Sequence, residues 1–283
     1  MSTKQLDSSF LYDQWFRAVL ATRGIKRKAM WRYWSGKLPL YLVPEYPKSG
    51  GTWFSQMLAD SLGVPFYRNT TSQPFVSCVM SGHHLYDARY QNVTAMFRDG
   101  RDIMVSAYYY FLFKNDINAS FGVKRHRSYC DFADYDDIRT NLPQFIDYMF
   151  TDYAKSRRHF SWADFVDSWL DQIDYFVTYR QLRTEPIETL QNSVERLTGR
   201  MPDREFISDV VEKYSFKKQA GRSEGSENKH SFVRKGIVGD WRNQFSREAC
   251  EVFAKHAGRH LVRLGFEKND DWVTQAGAVP VEP

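Results

Sequence analysis

Three times along this chain a short apolar run stops at a polar turn and a helical pattern follows, which confines the fold to alternating strands and helices. Leu40 to Glu45 reads as a buried strand, leading into the turn Tyr46-Pro47-Lys48-Ser49-Gly50-Gly51 and a helix from Thr52 toward Leu62. Val93 to Phe97 is the second such strand, followed by Arg98-Asp99-Gly100-Arg101-Asp102 and a helix through Val105, Tyr109 and Leu112. Tyr175 to Tyr179 is the third, before a turn and the helix Pro186 to Leu197. Beyond it helices dominate, and Gly221 to Gly239 reads as a polar, glycine-containing loop. The expected architecture is α/β, with a mostly parallel sheet, right-handed crossovers and helices on its faces. Ligands of such sheets sit beyond the carboxyl ends of the strands, where the polar turns fall.

The length of 283 residues admits two units at about 150 residues each, but a single α/β domain of this size is common. No internal repeat divides the chain. It is read as one domain, 1–283, with an N-terminal helical segment to about residue 35 and a C-terminal tail from about 267. Hydrophobic residues make up 42%, with 21 Phe, 17 Tyr and 8 Trp, so the chain can bury a large core and is not a disordered segment. The net charge of +5 favours an anionic ligand without the cation density of a nucleic-acid binder, and no nucleic-acid partner is expected. Cys78, Cys130 and Cys250 are too scattered for a disulfide framework or a CxxC site.

The opening MSTKQLDSSF is not a basic segment followed by an apolar one, and no apolar stretch reaches about 18 residues, so a cytoplasmic, non-spanning protein is expected. Phe10 to Trp34 reads as helical, with a basic cluster at Arg23, Lys26, Arg27 and Lys28. That cluster is either a solvated helix face or a peripheral contact with a membrane surface.

Pro47 to Trp53 sets two glycines and two hydroxyl residues at a helix N-terminus, where unpaired N–H groups and the helix dipole favour an anion. It is no Walker A loop, because Lys48 precedes the glycines, and this demotes a nucleoside-triphosphate kinase. The second turn offers Arg98 and Arg101, with Ser106 one helical turn later, to another phosphate; a surface pair of Arg101 with Asp102 is the alternative. Phe232-Val233-Arg234-Lys235-Gly236 puts adjacent cations beside a glycine. Each segment taken singly also fits an ordinary turn with solvated charge.

Together the segments resemble the cytosolic-type sulfotransferases, which use 3′-phosphoadenosine 5′-phosphosulfate (PAPS) as donor. Pro47-Lys48-Ser49-Gly50-Gly51-Thr52-Trp53 is similar to the family's 5′ loop PKSGTTW, and Arg98 to Tyr108 to its 3′-phosphate segment RdPRDvxVSxY. Ser161 to Trp169 is similar to SW..HV..W, Val177 to Leu182 to the YEDL stretch, and Arg234 to Trp241 to RKGxxGDW. The resemblance implies a P-loop-like phosphosulfate-binding loop at Lys48, Ser49, Gly50, Gly51, Thr52 and Trp53. It implies a 3′-phosphate site at Arg98, Ser106, Arg234, Lys235 and Gly236, and an adenine site at Trp53, Tyr179, Phe216 and Phe232. Gly51 stands where the family has Thr and Gly100 where it has Pro. The family's dimer motif KxxxTVxxxE is not recognisable after Trp241, which leaves the oligomeric state open.

Sulfuryl transfer to a hydroxyl needs a cation at the leaving oxygen and a base for the acceptor's proton. Lys48 takes the first role by the resemblance. His83 takes the second, chosen over His84 because the small Gly82 precedes it, as in the family's base segment. No metal is expected. The competing class is a PAPS-binding or regulatory protein that has lost catalysis. The acceptor, read by segments near Pro65 to Cys78 and Asn115 to Phe150, is left as a phenol, glycan, lipid or alkyl alcohol.

Overall fold

The computed structural model describes residues 22, 25–26, 29–34, 37–68, 76–114, 120–156, 159–231 and 233–275. Arg23, Arg27, Lys28 and Phe232 lie outside these, as does the segment 10–21.

Among the described residues five strands run parallel. β1 (Leu40–Pro44) pairs with β3 (Cys78–Gly82), which pairs on its other edge with β2 (Phe66–Arg68); β4 (Ala95–Phe97) pairs with β5 (Phe176–Thr178). Bridges from Leu42 to Val93 and from Glu45 to Met96 join the two groups, giving the spatial order β2-β3-β1-β4-β5. The chain therefore leaves central β1 toward one edge and returns to its other side, and a crevice opens at the carboxyl end of β1.

The strands read as apolar runs because both faces are covered. Leu40, Leu42, Cys78, Met80, Ala95 and Phe97 point into one core, while Val43, Val79, Met96 and Val177 point into the other. The second core is closed by α1 (Gly51–Leu62) through Phe54, Met57 and Leu58 and by α2 (Pro186–Thr198) through Leu190 and Val194. The first is larger and aromatic. It takes α3 (Gly100–Leu112), α4 (Ile138–Phe150), α5 (Trp162–Trp169) and α6 (Arg247–Arg263), with Trp162, Phe165, Trp169 and Phe253 fully buried. Ser161 opens α5 with a capping box: its hydroxyl accepts from Asp164 N–H, and the Asp164 carboxylate accepts from Ser161 N–H.

The parallel α/β expectation holds, with strand ends moved by a residue or two. Two strands were absent from it. β2 and β3 lie within or beside a stretch read as an acceptor loop, yet β3 is sandwiched between β1 and β2 and carries the candidate histidines at its end.

Arg101 is corrected as well. It is neither a phosphate ligand nor the surface partner of Asp102: its side chain is fully buried, held by Asp99 (Nη2–Oδ2 2.7 Å) and Glu267 (2.6 Å), with the guanidinium 3.8 Å from the Trp241 ring centre. It thereby ties α3 to the residue-267 region, which continues to the buried Trp272. Lysine cannot reproduce this fork, so Arg101→Lys should lower stability by about 1.5 kcal/mol, the worth of one charge-assisted hydrogen bond. A urea midpoint equal to wild type would contradict that role.

Candidate active site

The turn after β1 is shaped by its backbone. Lys48 has φ 71° and Gly50 φ 92°, both left-handed, and Ser49 N–H closes the turn on the Tyr46 carbonyl at 3.1 Å. Gly50 is required twice over, since a Cβ there would lie 2.8 Å from the Tyr179 ring. The conformation brings Lys48 into the crevice, 4.6 Å from the centre of the Tyr110 ring.

A cavity of about 340 Å³ occupies this crevice. Lys48, Gly50, Thr52 and Trp53 line it from the first turn, Arg98 and Ser106 from the second, and Arg234, Lys235 and Gly236 from the third. Tyr179 and Phe216 line it too, as does His83. Segments separated by up to 188 residues in sequence, Lys48 to Gly236, thus meet in one place. Ser49 and Gly51 do not face it. Both are buried beneath the turn, and the Gly51 N–H donates to Glu45 Oε2 at 2.6 Å.

Arg98 ties the turns together. Its Nη1 donates to the Lys48 carbonyl at 3.0 Å, and its guanidinium lies 4.2 Å from the Tyr179 ring centre. The third segment is held by two carboxylates. Asp102 Oδ2 accepts from Gly239 N–H at 2.7 Å and Oδ1 from Trp241 N–H at 3.0 Å, while Asp240 pairs with Arg234 and, at 2.8 Å, with Lys235. Burial alone raises the Asp240 pKa, but the hydrogen bonds from Lys235 and Arg234 hold it below the ordinary value. At Gly236, φ is 71° and a Cβ would lie 2.3 Å from the Phe216 ring, so the glycine lets this ring close the cavity. Trp53 is fixed by its indole N–H, which donates to the Tyr214 carbonyl at 2.7 Å.

The cavity suits an anion. Burial first, then the nearby Arg98, pulls the Lys48 pKa down to about 7, and the opposing Glu45 charge does not restore it. Arg98 Nε and Arg234 Nε are buried without a hydrogen-bond partner. Such clustered cations and unsatisfied donors are costly until a multiply charged oxyanion meets them.

The two histidines part company. His83 lines the cavity, and its Nδ1 lies 3.0 Å from the Glu45 carbonyl oxygen. A carbonyl only accepts, so Nδ1 carries the hydrogen and the neutral ring keeps Nε2 as its acceptor. His84 is buried with its ring 6.1 Å from that of Tyr90, outside the cavity. Arg68, Tyr110 and Glu45 also line the cavity and were not expected there. Arg68 and Glu45 end β2 and follow β1, positions that become visible only once the sheet order is known. Asp102 and Asp240 had a signal, standing inside the segments Arg98 to Tyr108 and Arg234 to Trp241. Among the described residues no group of three or more His, Cys, Asp or Glu is arranged to hold a metal, and no helix is long and apolar enough to cross a membrane.

Among curated proteins, sulfotransferase 1B1 of Mus musculus is 24% identical over 75% of this chain and 79% of its own length. Sulfotransferase 1E1 of Cavia porcellus is 22% identical over 90% of this chain and 94% of its own. Among solved structures, mouse sulfotransferase SULT7A1 complexed with PAP superposes with a TM-score of 0.56 at 15% identity, covering 82% of this chain and 88% of that one. Retinol dehydratase in complex with androsterone and the inactive cofactor PAP gives 0.53 at 13% identity, covering 78% and 80%. These structural likenesses are of fold. A sulfotransferase domain model matches residues 89–265, more than half of the chain. The Lys48 turn and His83 precede that span, and the cavity is what unites them with it. On this match the chain belongs to the sulfotransferase domain family.

Proposed function

We propose that the cavity at the end of β1 is the donor and reaction site of this sulfotransferase, with PAPS as donor, Lys48 as the partner of the leaving oxygen and His83 as the base. The observation that carries the proposal is the meeting of Lys48, Arg98, Arg234 and His83 around one cavity, with buried Nε donors left unsatisfied. The bound donor supplies an activated sulfuryl group on its 5′ phosphate. Thr52, Trp53 and the α1 N-terminus hold that end, and Arg98, Ser106, Arg234, Lys235 and Gly236 hold the 3′ phosphate. Trp53, Tyr179 and Phe216 flank the adenine; Phe232 lies outside the described residues.

His83 Nε2 takes the proton of the acceptor hydroxyl while its Nδ1–H stays on the Glu45 carbonyl, so the ring keeps one orientation through the reaction. The acceptor oxygen bonds to sulfur as the bond from sulfur to the 5′-phosphate oxygen breaks, and Lys48 meets the charge left on that oxygen. With these cations and the helix amides neutralising the donor, the reaction needs no metal ion. Tyr110 and Arg68, which line the cavity together with His83, are assigned to the acceptor end. The ring of Tyr110 suits a ring-bearing alcohol, and the retinol dehydratase relatives were solved with androsterone and with retinol.

The test is transfer itself. Incubation with labelled PAPS and a panel of phenols, steroid and retinoid alcohols, glycans and alkyl alcohols should give a product heavier by one sulfuryl group, read by mass. Donor binding with no sulfated product across the panel would favour the catalytically inactive reading. Stabilisation by ATP with Mg²⁺, but not by PAPS, would sink both.

A further inference from the structure

Gly51 and Glu45 form a matched pair inside the donor turn. The main chain of Glu45 is fixed by the sheet: its N–H donates to the Gly82 carbonyl at 3.1 Å, and it bridges Met96 on the other side. Its side chain turns under the loop to the first amide of α1, accepting from Gly51 N–H at 2.6 Å, and is 5% exposed. Only glycine permits this. A Cβ on residue 51 would lie 2.3 Å from Glu45 Cδ and 2.5 Å from Oε2. The space of the missing side chain is filled by a carboxyl group at the cradle assigned above to the donor's 5′ end.

We propose that Glu45 is a positioning residue that stands in for the donor's phosphate: its carboxylate satisfies the α1 N-terminus before the donor binds and takes up a proton when the 5′ phosphate arrives. This rests on the donor-site reading above. An ionised carboxylate on a helix N-terminal amide is favourable and keeps the turn formed. Two anions at one helix N-terminus repel, and the one with access to a proton is neutralised.

The charged and titratable groups around Glu45 are Lys48 in the turn, His83 at the end of β3 and Arg68 at the end of β2, with Arg98 behind Lys48. Burial already raises the Glu45 pKa, while His83, the Gly51 N–H, Arg68 and Lys48 pull it back. A donor phosphate adds negative charge near those same cations and shifts the balance toward the neutral acid. The proton comes from solvent, so donor binding through Glu45 weakens as pH rises.

Difference infrared spectroscopy on adding adenosine 3′,5′-bisphosphate reads this directly. The wild-type protein should gain the carbonyl band of a neutral carboxylic acid, the band should move when glutamate is labelled with ¹³C at its side-chain carboxyl, and Glu45→Gln should lack it. The isotope shift needs only wild-type protein, so the test stands even if the variant does not fold. Binding without a labelled acid band overturns the proposal alone, as does a band that persists in folded Glu45→Gln. Failure of the bisphosphate to bind wild-type protein overturns the donor-site reading and this proposal with it.

Discussion

Lys48→Ala should cut turnover by at least about a hundredfold while leaving the protein folded, as expected when a preorganised partner of developing charge is removed. Lys48 is the natural candidate because the turn holds it left-handed at φ 71° and it lines the same cavity as Arg98 and Arg234. A non-glycine residue in that region gives up about 1 kcal/mol, so stability is spent to aim this side chain. Lys48→Gly separates the two effects: it should lose the same activity with a melting temperature at or above that of wild type. The pKa of about 7 adds a pH signature. The charged form binds the anion, so donor affinity through Lys48 is full below about pH 7 and falls as pH rises through it. Near-normal turnover in a folded Lys48→Ala protein would remove Lys48 from the site.

His83→Ala should lose turnover on a similar scale, about a hundredfold or more, the range of a positioned general base. Donor binding should survive, because the ring is anchored on the Glu45 carbonyl and is not among the groups assigned to the donor's phosphates. His84→Ala is the control. With its ring buried near Tyr90, its loss should appear in stability before it appears in turnover. The opposite pattern would transfer the base to His84.

How far the sequence reaches is shown by particular residues. Lys48 and Arg98 were legible as cavity residues because turns after apolar runs fall at one edge of a parallel sheet, and Arg234 because it stands with Lys235 beside a glycine in a polar loop. His83 was legible only through resemblance, since β3, the strand that delivers it, reads Cys-Val-Met-Ser-Gly. That segment has one β-branched residue and no alternation, and its strand character comes from being enclosed between β1 and β2. Arg101 was misread because charge near a turn suggests solvent or ligand, whereas Asp99, Glu267 and two tryptophans bury it. The Gly51 and Glu45 pair is invisible in sequence, because the two residues meet only when the turn folds back on the strand end. Nothing local marks an acidic residue after β1 as a helix cap.

Whether the three turns surround one bisphosphate nucleotide is decided by titration calorimetry with adenosine 3′,5′-bisphosphate and AMP, without knowledge of the acceptor. A charge-assisted hydrogen bond contributes about 1.5–3 kcal/mol, and 1.4 kcal/mol is about tenfold, so two contacts to the 3′ phosphate amount to on the order of a hundredfold. The bisphosphate should bind wild-type protein tighter than AMP by at least that factor, and Arg98→Ala should shrink the gap chiefly by weakening the bisphosphate. Equal affinity of the wild-type protein for the two nucleotides would contradict a shared donor site at these turns.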